Sequence, residues 1–296
     1  MRLALNLATR NRPQLLLSTV MQTLGNIRDP YTVLMVSADA DDEATIGVLR
    51  TLGQLDVSPD RLQVSVQARE DTIAGKWNRV LREIPDADVY MPMCDDGPAV
   101  TRGFDEKILQ AASLFPDGIG CVYNHLENAS FPGIQAVTRG LVDLMGGVIY
   151  VEHFPYWFVD HWLDDVVRLI DRIAFADVRL DCASNRPPTM EMREPGFWAT
   201  FFDACHLRRR HLAQAIVDSR GFVASDREKR RINGLHPLIE FRSKWINDMV
   251  RANQQLAAYA AQHAPDDRYL RVKNAAVALL RDEILPELEE DERDAA

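Results

Sequence analysis

Cysteine is scarce in this chain and scattered along it. The four cysteines among 296 residues, Cys94, Cys121, Cys182 and Cys205, form no CxxC pair. That excludes a zinc ribbon and a disulfide framework and leaves reduced, partly buried thiols. Long apolar runs are missing as well: none approaches the roughly 20 residues that span a bilayer. The opening MRLALNLATRNRP alternates apolar with polar residues and has no signal-peptide core or small-residue cleavage site. A soluble, cytoplasmic protein with no membrane span is expected. Neither GxGxxG nor GxxxxGK[ST] occurs, which counts against a dinucleotide-binding Rossmann domain and a P-loop NTPase. Basic charge is in deficit, 34 Lys and Arg against 44 Asp and Glu for a net −10, which argues against a nucleic-acid partner. The histidines suit no metal site: His153 and His161 stand alone, and His206 and His211 are five apart. No repeat or low-complexity tract is evident.

What is present is an ordinary globular composition, long enough for one large domain or two small ones. The first half alternates short apolar runs with amphipathic segments. Strands are expected at Leu3–Leu7, Thr32–Val36, Leu62–Val66, Val89–Met93 and Ile119–Val122. Pro13 opens a helix lined by Leu16, Leu17, Val20 and Leu24, with Gly25 as its stop. Further helices are expected at Ile73–Leu81 and Phe104–Leu114, and the acidic turn Asp39–Glu43 favours the start of another. Such alternation predicts an α/β fold with a mostly parallel sheet covered on both faces. Beyond Gly147 the aromatics Tyr156, Trp157, Phe158 and Trp162 gather around Asp160. A helix follows, with Leu163, Val166, Val167, Ile170 and Ile173 at helical spacing. Residues 181–196 form a proline-containing loop, and Phe197 to about Leu288 is a helical extension.

Ligands of open parallel sheets sit beyond the C-terminal ends of the strands. Four polar clusters fall there: Thr9-Arg10-Asn11-Arg12, Asp39-Ala40-Asp41-Asp42, Gln67-Ala68-Arg69 and Cys94-Asp95-Asp96. The adjacent carboxylates Asp95 and Asp96 suit a hard divalent cation shared with ligand phosphates. Asp-Asp-Gly-Pro is equally good turn sequence. Arg10 and Arg12 flank a strand-to-helix junction, where helix amides and guanidinium groups both favour phosphate. Asp39 suits a base or ribose and equally a turn or helix cap. Lys76 and Asn78 offer a cation and an amide, and a surface helix also accounts for the lysine. Asp160, beside apolar surface, suits a general base with a raised pKa and also a helix N-cap. Asp164, Asp165 and Asp171 are expected on a solvated helix face. Arg208-Arg209-Arg210 and Arg227–Arg231 are expected on solvated or acid-paired helix faces, with anion binding as the other reading.

In this order the segments LATRNRP, VSADADDEAT, AGKWNRVL, YMPMCDDGPAVTRGFDEKI and WFVDHWLDDVVRLIDR resemble a GT-A-fold glycosyltransferase of the family-2-like type. The resemblance covers roughly residues 1–182. It implies a nucleotide-sugar-binding and catalytic domain over residues 1–196, with a helical C-terminal extension over 197–296. It implies that Thr9, Arg10 and Arg12 line the nucleotide pocket, that Asp39 contacts the base, and that Lys76 and Asn78 lie near the phosphates. Cys94-Asp95-Asp96 falls at the DxD position, so Asp95 would contact ribose or sugar and Asp96 would bind Mn2+ or Mg2+. Asp160 would be the base. Three departures are plain: Cys94 replaces one carboxylate; Val178–Cys182 carries no histidine ligand, which leaves Asp181, another residue, or weak or lost metal binding as the alternatives; and Val159 precedes Asp160 where the family has a Glu-Asp pair.

The expected activity is metal-dependent, inverting transfer of a sugar from a nucleotide-diphosphate sugar, a UDP-sugar among the candidates, to an acceptor hydroxyl. The alternatives are a nucleotidyltransferase acting on a sugar phosphate and a catalytically inactive nucleotide-binding protein retaining the fold. The 181–196 loop is a candidate lid, and the C-terminal helices a candidate homo-oligomer interface.

Overall fold

The run Leu3–Ala8 is apolar at every position but Asn6 and becomes strand β1, buried on both faces. Only a strand covered on both sides tolerates that pattern. This computed structural model describes residues 1–54, 57–124, 134–156, 158–181, 193–219 and 265–294. The chain divides into two compact units. One comprises Met1–Glu70, Gly75–Ile149 and Arg172–Thr189; the other comprises Asp71–Ala74, Tyr150–Asp171 and Met190–Ala296.

The first unit holds a seven-stranded sheet in the order β3-β2-β1-β4-β6-β5-β7. Strands β2 (Val33–Asp39), β3 (Leu62–Gln67) and β4 (Val89–Cys94) join β1 in parallel. Beyond them lie β5 (Cys121–Asn124), β6 (Gln135–Thr138) and β7 (Ile173–Ala176). β6 runs antiparallel to β4 and β5, and β7 runs parallel to β5. The expected mostly parallel sheet flanked by helices is therefore present. From β1 the chain winds out through β2 to β3, then crosses to β4 on the other side of β1. In open α/β sheets such a reversal is where ligands bind, which directs attention to the C-terminal ends of β1 and β4.

The helices of this unit are α1 (Pro13–Asn26), α2 (Glu43–Leu52), α3 (Ile73–Glu83), α4 (Phe104–Ala112) and α5 (Arg139–Leu144). Leu16, Thr19, Val20 and Thr23 form the buried stripe of α1. Gly25 is not the stop that the sequence suggested, because α1 continues through it to Asn26 and leaves by an extended Ile27. Buried Ile27 and the amides of Arg28 and Asp29, which donate to the Asp105 carboxylate, hold that exit without a left-handed residue.

The second unit contains α6 (Val159–Leu169), α7 (Pro195–Ala204), α8 (His206–Val217) and α9 (Asp267–Leu279). A π turn at Leu280–Ile284 leads into α10 (Leu285–Asp294). Its core is aromatic: Phe154 packs within 6.2 Å of Phe158, Trp162, Trp198, Phe201 and Phe202, ring centre to ring centre. Ile173, expected on the α6 face, instead begins β7; left-handed Asp171 (φ 56°) breaks the helix before it. Pro195 and Gly196, expected in the loop, open α7, where proline at the first turn loses no hydrogen bond. Asp164 and Asp165, expected in solvent, are buried. Asp165 pairs with fully buried Arg209 at 2.8 Å, whose guanidinium stacks 3.8 Å over Phe202. Arg208 meets Glu283 and Glu287, the acid-paired outcome. Trp157, Cys182, Pro187, Pro188 and Arg227–Arg231 lie outside the described residues. Among the described residues no helix is long and apolar enough to cross a membrane.

Asp42 caps α2 and ties it to the loop after β1. Its carboxylate accepts from the Asn11 amide at 2.6 Å, the Thr45 amide at 3.1 Å and the Thr45 hydroxyl at 2.5 Å. Burial pushes this carboxyl up, but the three donors outweigh burial and hold it below the ordinary value. Asp42→Ala should cost about 1–2 kcal/mol at neutral pH in a urea unfolding series. Because the folded carboxyl titrates lower than the unfolded one, its contribution is complete above about pH 3.9. It fades as pH falls through the depressed folded value, so the gap between variant and wild type should narrow in acid.

Candidate functional site

The pairing of β1 brings its end level with two other strand ends. Ala8 stands opposite Ser37 on one side and Cys94 on the other. One residue further on, the Thr9 hydroxyl donates to Asp95 Oδ2 at 2.8 Å. The Thr19 hydroxyl of α1 donates to the Asp95 carbonyl at 2.6 Å. Arg12 then closes the group: its Nη1 reaches Asp95 Oδ1 at 3.0 Å and Asp96 Oδ2 at 2.9 Å. Asp95 is almost wholly buried, whereas Asp96 is 27 % exposed. Burial pushes the Asp95 carboxyl above its ordinary value, and Thr9 and Arg12 only partly offset that.

A second ionic group lies at the end of β2. Asp39 has no exposed surface, and its two oxygens meet different cations: Arg10 Nη1 at 2.9 Å and Lys76 Nζ at 2.5 Å. Arg10 also forks onto Asp41 at 2.7 and 3.2 Å, which holds that carboxyl below the usual range. Lys76 is buried, and burial lowers its ammonium pKa despite Asp39. Its Nζ also donates to the Thr9 carbonyl at 3.3 Å. Thr9 thus links the two groups, with its hydroxyl on Asp95 and its carbonyl on Lys76.

Seven of the residues expected at the site are therefore brought together: Thr9, Arg10, Arg12, Asp39, Lys76, Asp95 and Asp96. Asn78 is placed otherwise. Helix positions two apart do not share a face, and Asn78 turns from Lys76 to accept the Ile149 amide at 2.9 Å. Asp181 is exposed, and its amide donates to the Pro98 carbonyl at 3.0 Å. Among the described residues no three His, Cys, Asp or Glu side chains form a group that could hold a metal ion, so Asp181 is not gathered with Asp95 and Asp96.

Asp160 belongs to the second unit. It is not the N-cap of α6, a place taken by left-handed Phe158, but an acid in the first turn, where the helix dipole favours it. Its Oδ1 accepts from the His161 amide and contacts His161 Nδ1, both at 2.8 Å. Burial pushes this carboxyl up, but His161 more than compensates. The result lies below the ordinary value, opposite to the raised pKa expected from its aromatic neighbours.

Three supporting residues carried no clear sequence signal. Buried Asn6 donates from Nδ2 to the Lys76 and Trp77 carbonyls at 2.9 and 2.8 Å, and its Oδ1 accepts from Ser37. Arg79 has no exposed surface; it donates to the Ala38 and Ser65 carbonyls and pairs with Glu70. Thr19 holds the Asp95 backbone, as above. A lone polar residue inside the apolar run LALNLA was the available clue to Asn6.

The acidic pair suits a divalent ion. Carboxylate oxygens are hard donors, and Mg2+ or Mn2+ commonly takes only one or two of them when phosphate oxygens complete the shell. Asp96 is the more accessible of the two.

Among solved structures, a mannosyltransferase of Pyrobaculum calidifontis, in complex with GDP-Man and Mn2+, is similar over 95 % of this chain and 81 % of its own. The identity is 16 % and the TM-score 0.53. TarS 1-349 of S. aureus, in complex with UDP-GlcNAc, is similar over 79 % of this chain and 71 % of its own, at 10 % identity and TM-score 0.55. The fold is that of a GT-A glycosyltransferase. No protein-family model matches the sequence, and no curated protein does. In this GT-A sheet the seven clustered residues gather at the C-terminal ends of β1, β2 and β4, with Lys76 reaching them from α3.

Lys76→Met would leave the buried Asp39 carboxylate with Arg10 alone. Removing one partner of a buried pair costs about 3–5 kcal/mol, and the low end is expected because Arg10 remains. Chemical denaturation checks this; a loss under about 1 kcal/mol would mean that the pair behaves like a surface one.

Proposed function

We propose that this protein is a metal-dependent, inverting glycosyltransferase that moves a sugar from a nucleotide-diphosphate sugar to an acceptor hydroxyl. The observation that carries the reading is the clustering of Arg10, Arg12, Lys76, Asp39, Asp95 and Asp96 at the switch point of a GT-A sheet. The complexes of two proteins with this fold, one with GDP-Man and Mn2+ and one with UDP-GlcNAc, support it.

The roles follow from charge. Arg10 and Asp41 form a donor–acceptor couple for the base and ribose, while buried Asp39 fixes Arg10 from below. Arg12 and the N-terminus of α1, whose first turn contains no acid, offer donors to the diphosphate. Asp96, with Asp95, would hold the divalent ion, which would neutralise the charge developing on the leaving nucleoside diphosphate. Asp160 takes the proton from the acceptor hydroxyl as that oxygen attacks the anomeric carbon from the face opposite the leaving group. Asp160 is ionised at neutral pH like any ordinary carboxylate, and the role rests on its position in the resemblance, because a lowered pKa by itself makes a weaker base.

Titration with UDP, GDP and dTDP, with and without Mn2+, tests the donor site. Binding enhanced by Mn2+ and lost in Asp96→Asn is expected; no binding of any nucleotide would sink the reading. Product analysis tests the chemistry. Sugar transfer releases nucleoside diphosphate, and release of pyrophosphate would instead mean nucleotidyl transfer. Asp160→Asn should lower kcat about 10^2- to 10^4-fold with the donor KM little changed. An unaltered kcat would remove Asp160 from the reaction.

A further inference from the structure

Arg12 stands where a cation is required. It is the N-cap residue of α1, and a single nitrogen of its side chain, Nη1, contacts both Asp95 and Asp96. The guanidinium is only 15 % exposed, and Asp95 is nearly buried. A pair of carboxylates in such a place needs neutralisation, and Arg12 supplies it from within the chain. A divalent ion on the same pair would meet carboxylates whose charge is already half compensated and a positive neighbour in contact with the same oxygens.

Charge counting then constrains the order of binding. Two carboxylates and one guanidinium leave the group with a single negative charge. A divalent ion alone would make it singly positive, beside the positive end of α1. The diphosphate of a nucleotide sugar, doubly negative, would alone make it triply negative. Both together restore the original single negative charge. The diphosphate also gives Arg12 a better acceptor than the carboxylates, with oxygens spaced for a guanidinium fork, beside the N-terminus of α1.

We propose that Arg12 is an internal competitor for the metal position. It occupies the Asp95–Asp96 pair in the absence of anion and releases the pair when a nucleoside diphosphate arrives, so that metal and nucleotide bind together rather than singly. The proposal rests on the donor-site reading above. It makes Arg12 a coupling residue as well as a phosphate ligand.

Mn2+ binding followed by the EPR signal of the free ion tests it without turnover. The proteins are wild type, Arg12→Gln and Arg12→Lys, each with and without UDP or GDP. In wild type, Mn2+ alone should bind weakly and the nucleotide should strengthen it. Arg12→Gln should bind Mn2+ alone about tenfold or more tightly than wild type, within the usual span of coupling between sites, and the nucleotide should add less. Arg12→Lys keeps the cation and should restore the weak binding of Mn2+ alone, which guards against misreading a folding defect. Adding Asp96→Asn to Arg12→Gln should abolish the gain. Mn2+ affinity in Arg12→Gln no better than in wild type, with a wild-type melting temperature, overturns the proposal. A wild-type protein that binds no nucleoside diphosphate defeats the donor-site reading and the release step with it. The Arg12→Gln comparison in Mn2+ alone still decides the competition separately.

Discussion

Carboxylates cannot be gathered at the dry edge of a parallel sheet unless cations come with them, and much of this structure serves that constraint. Asp39 is wholly buried and Asp95 nearly so. An isolated charge in such a place is costly to bury. The chain instead supplies Arg10 and Lys76 to the first and Arg12 to the second. Asn6 holds the first turns of α3 that carry Lys76, and Arg79 holds the backbone just before Asp39. Thr9 joins the two ionic groups through one hydroxyl and one carbonyl. Removing any of these partners would shift its neighbours, so the edge behaves as one network whose members are not independent.

The parallel half of the sheet was legible because each of its strands is an apolar run followed by a polar cluster and an amphipathic helix. β1 to β4 all appear where periodicity put them, extended by a residue or more at their ends. β6 and β7 were not legible. Gln135–Thr138 and Ile173–Ala176 have four residues each, too short for alternation to declare itself. Ile173 also happens to continue the spacing of α6. What separates it from the helix is the left-handed turn at Asp171, a backbone choice that Asp tolerates but does not announce. Burial of Asp165 was misjudged for a related reason. Charge pattern on one helix says nothing about a buried arginine that arrives from another, here Arg209 some forty residues later in the chain.

The candidate site was legible to the extent that position determines it. Residues just beyond strand ends had to meet, and Thr9, Arg10, Arg12, Asp39, Asp95 and Asp96 do. Lys76 joined them from a helix, while Asn78, two positions on, faces elsewhere and holds the Ile149 amide. A motif names both residues, whereas helix geometry sends them to different neighbours. The environment of Asp160 was misread on similar grounds. Aromatic neighbours raise a carboxyl only when no closer group opposes them, and His161, adjacent in sequence, lies 2.8 Å away.

The identities to solved GT-A structures, 16 % and 10 %, mean that most of the sequence has changed while strand order has not. Strand order is enforced by burial over dozens of residues, so single substitutions rarely alter it. The edge chemistry rests on a few side chains and has no such redundancy. It must also meet two opposed demands: stay neutralised when empty, and present charge when a ligand comes. Cations from the chain itself satisfy the first demand at once. They satisfy the second only if they can change partners; the Arg12 side chain keeps some exposed surface, whereas Lys76 is more deeply buried against Asp39. Under the proposal made for Arg12, Lys76 belongs to the scaffold of the edge and Arg12 is the group through which a ligand would act on it.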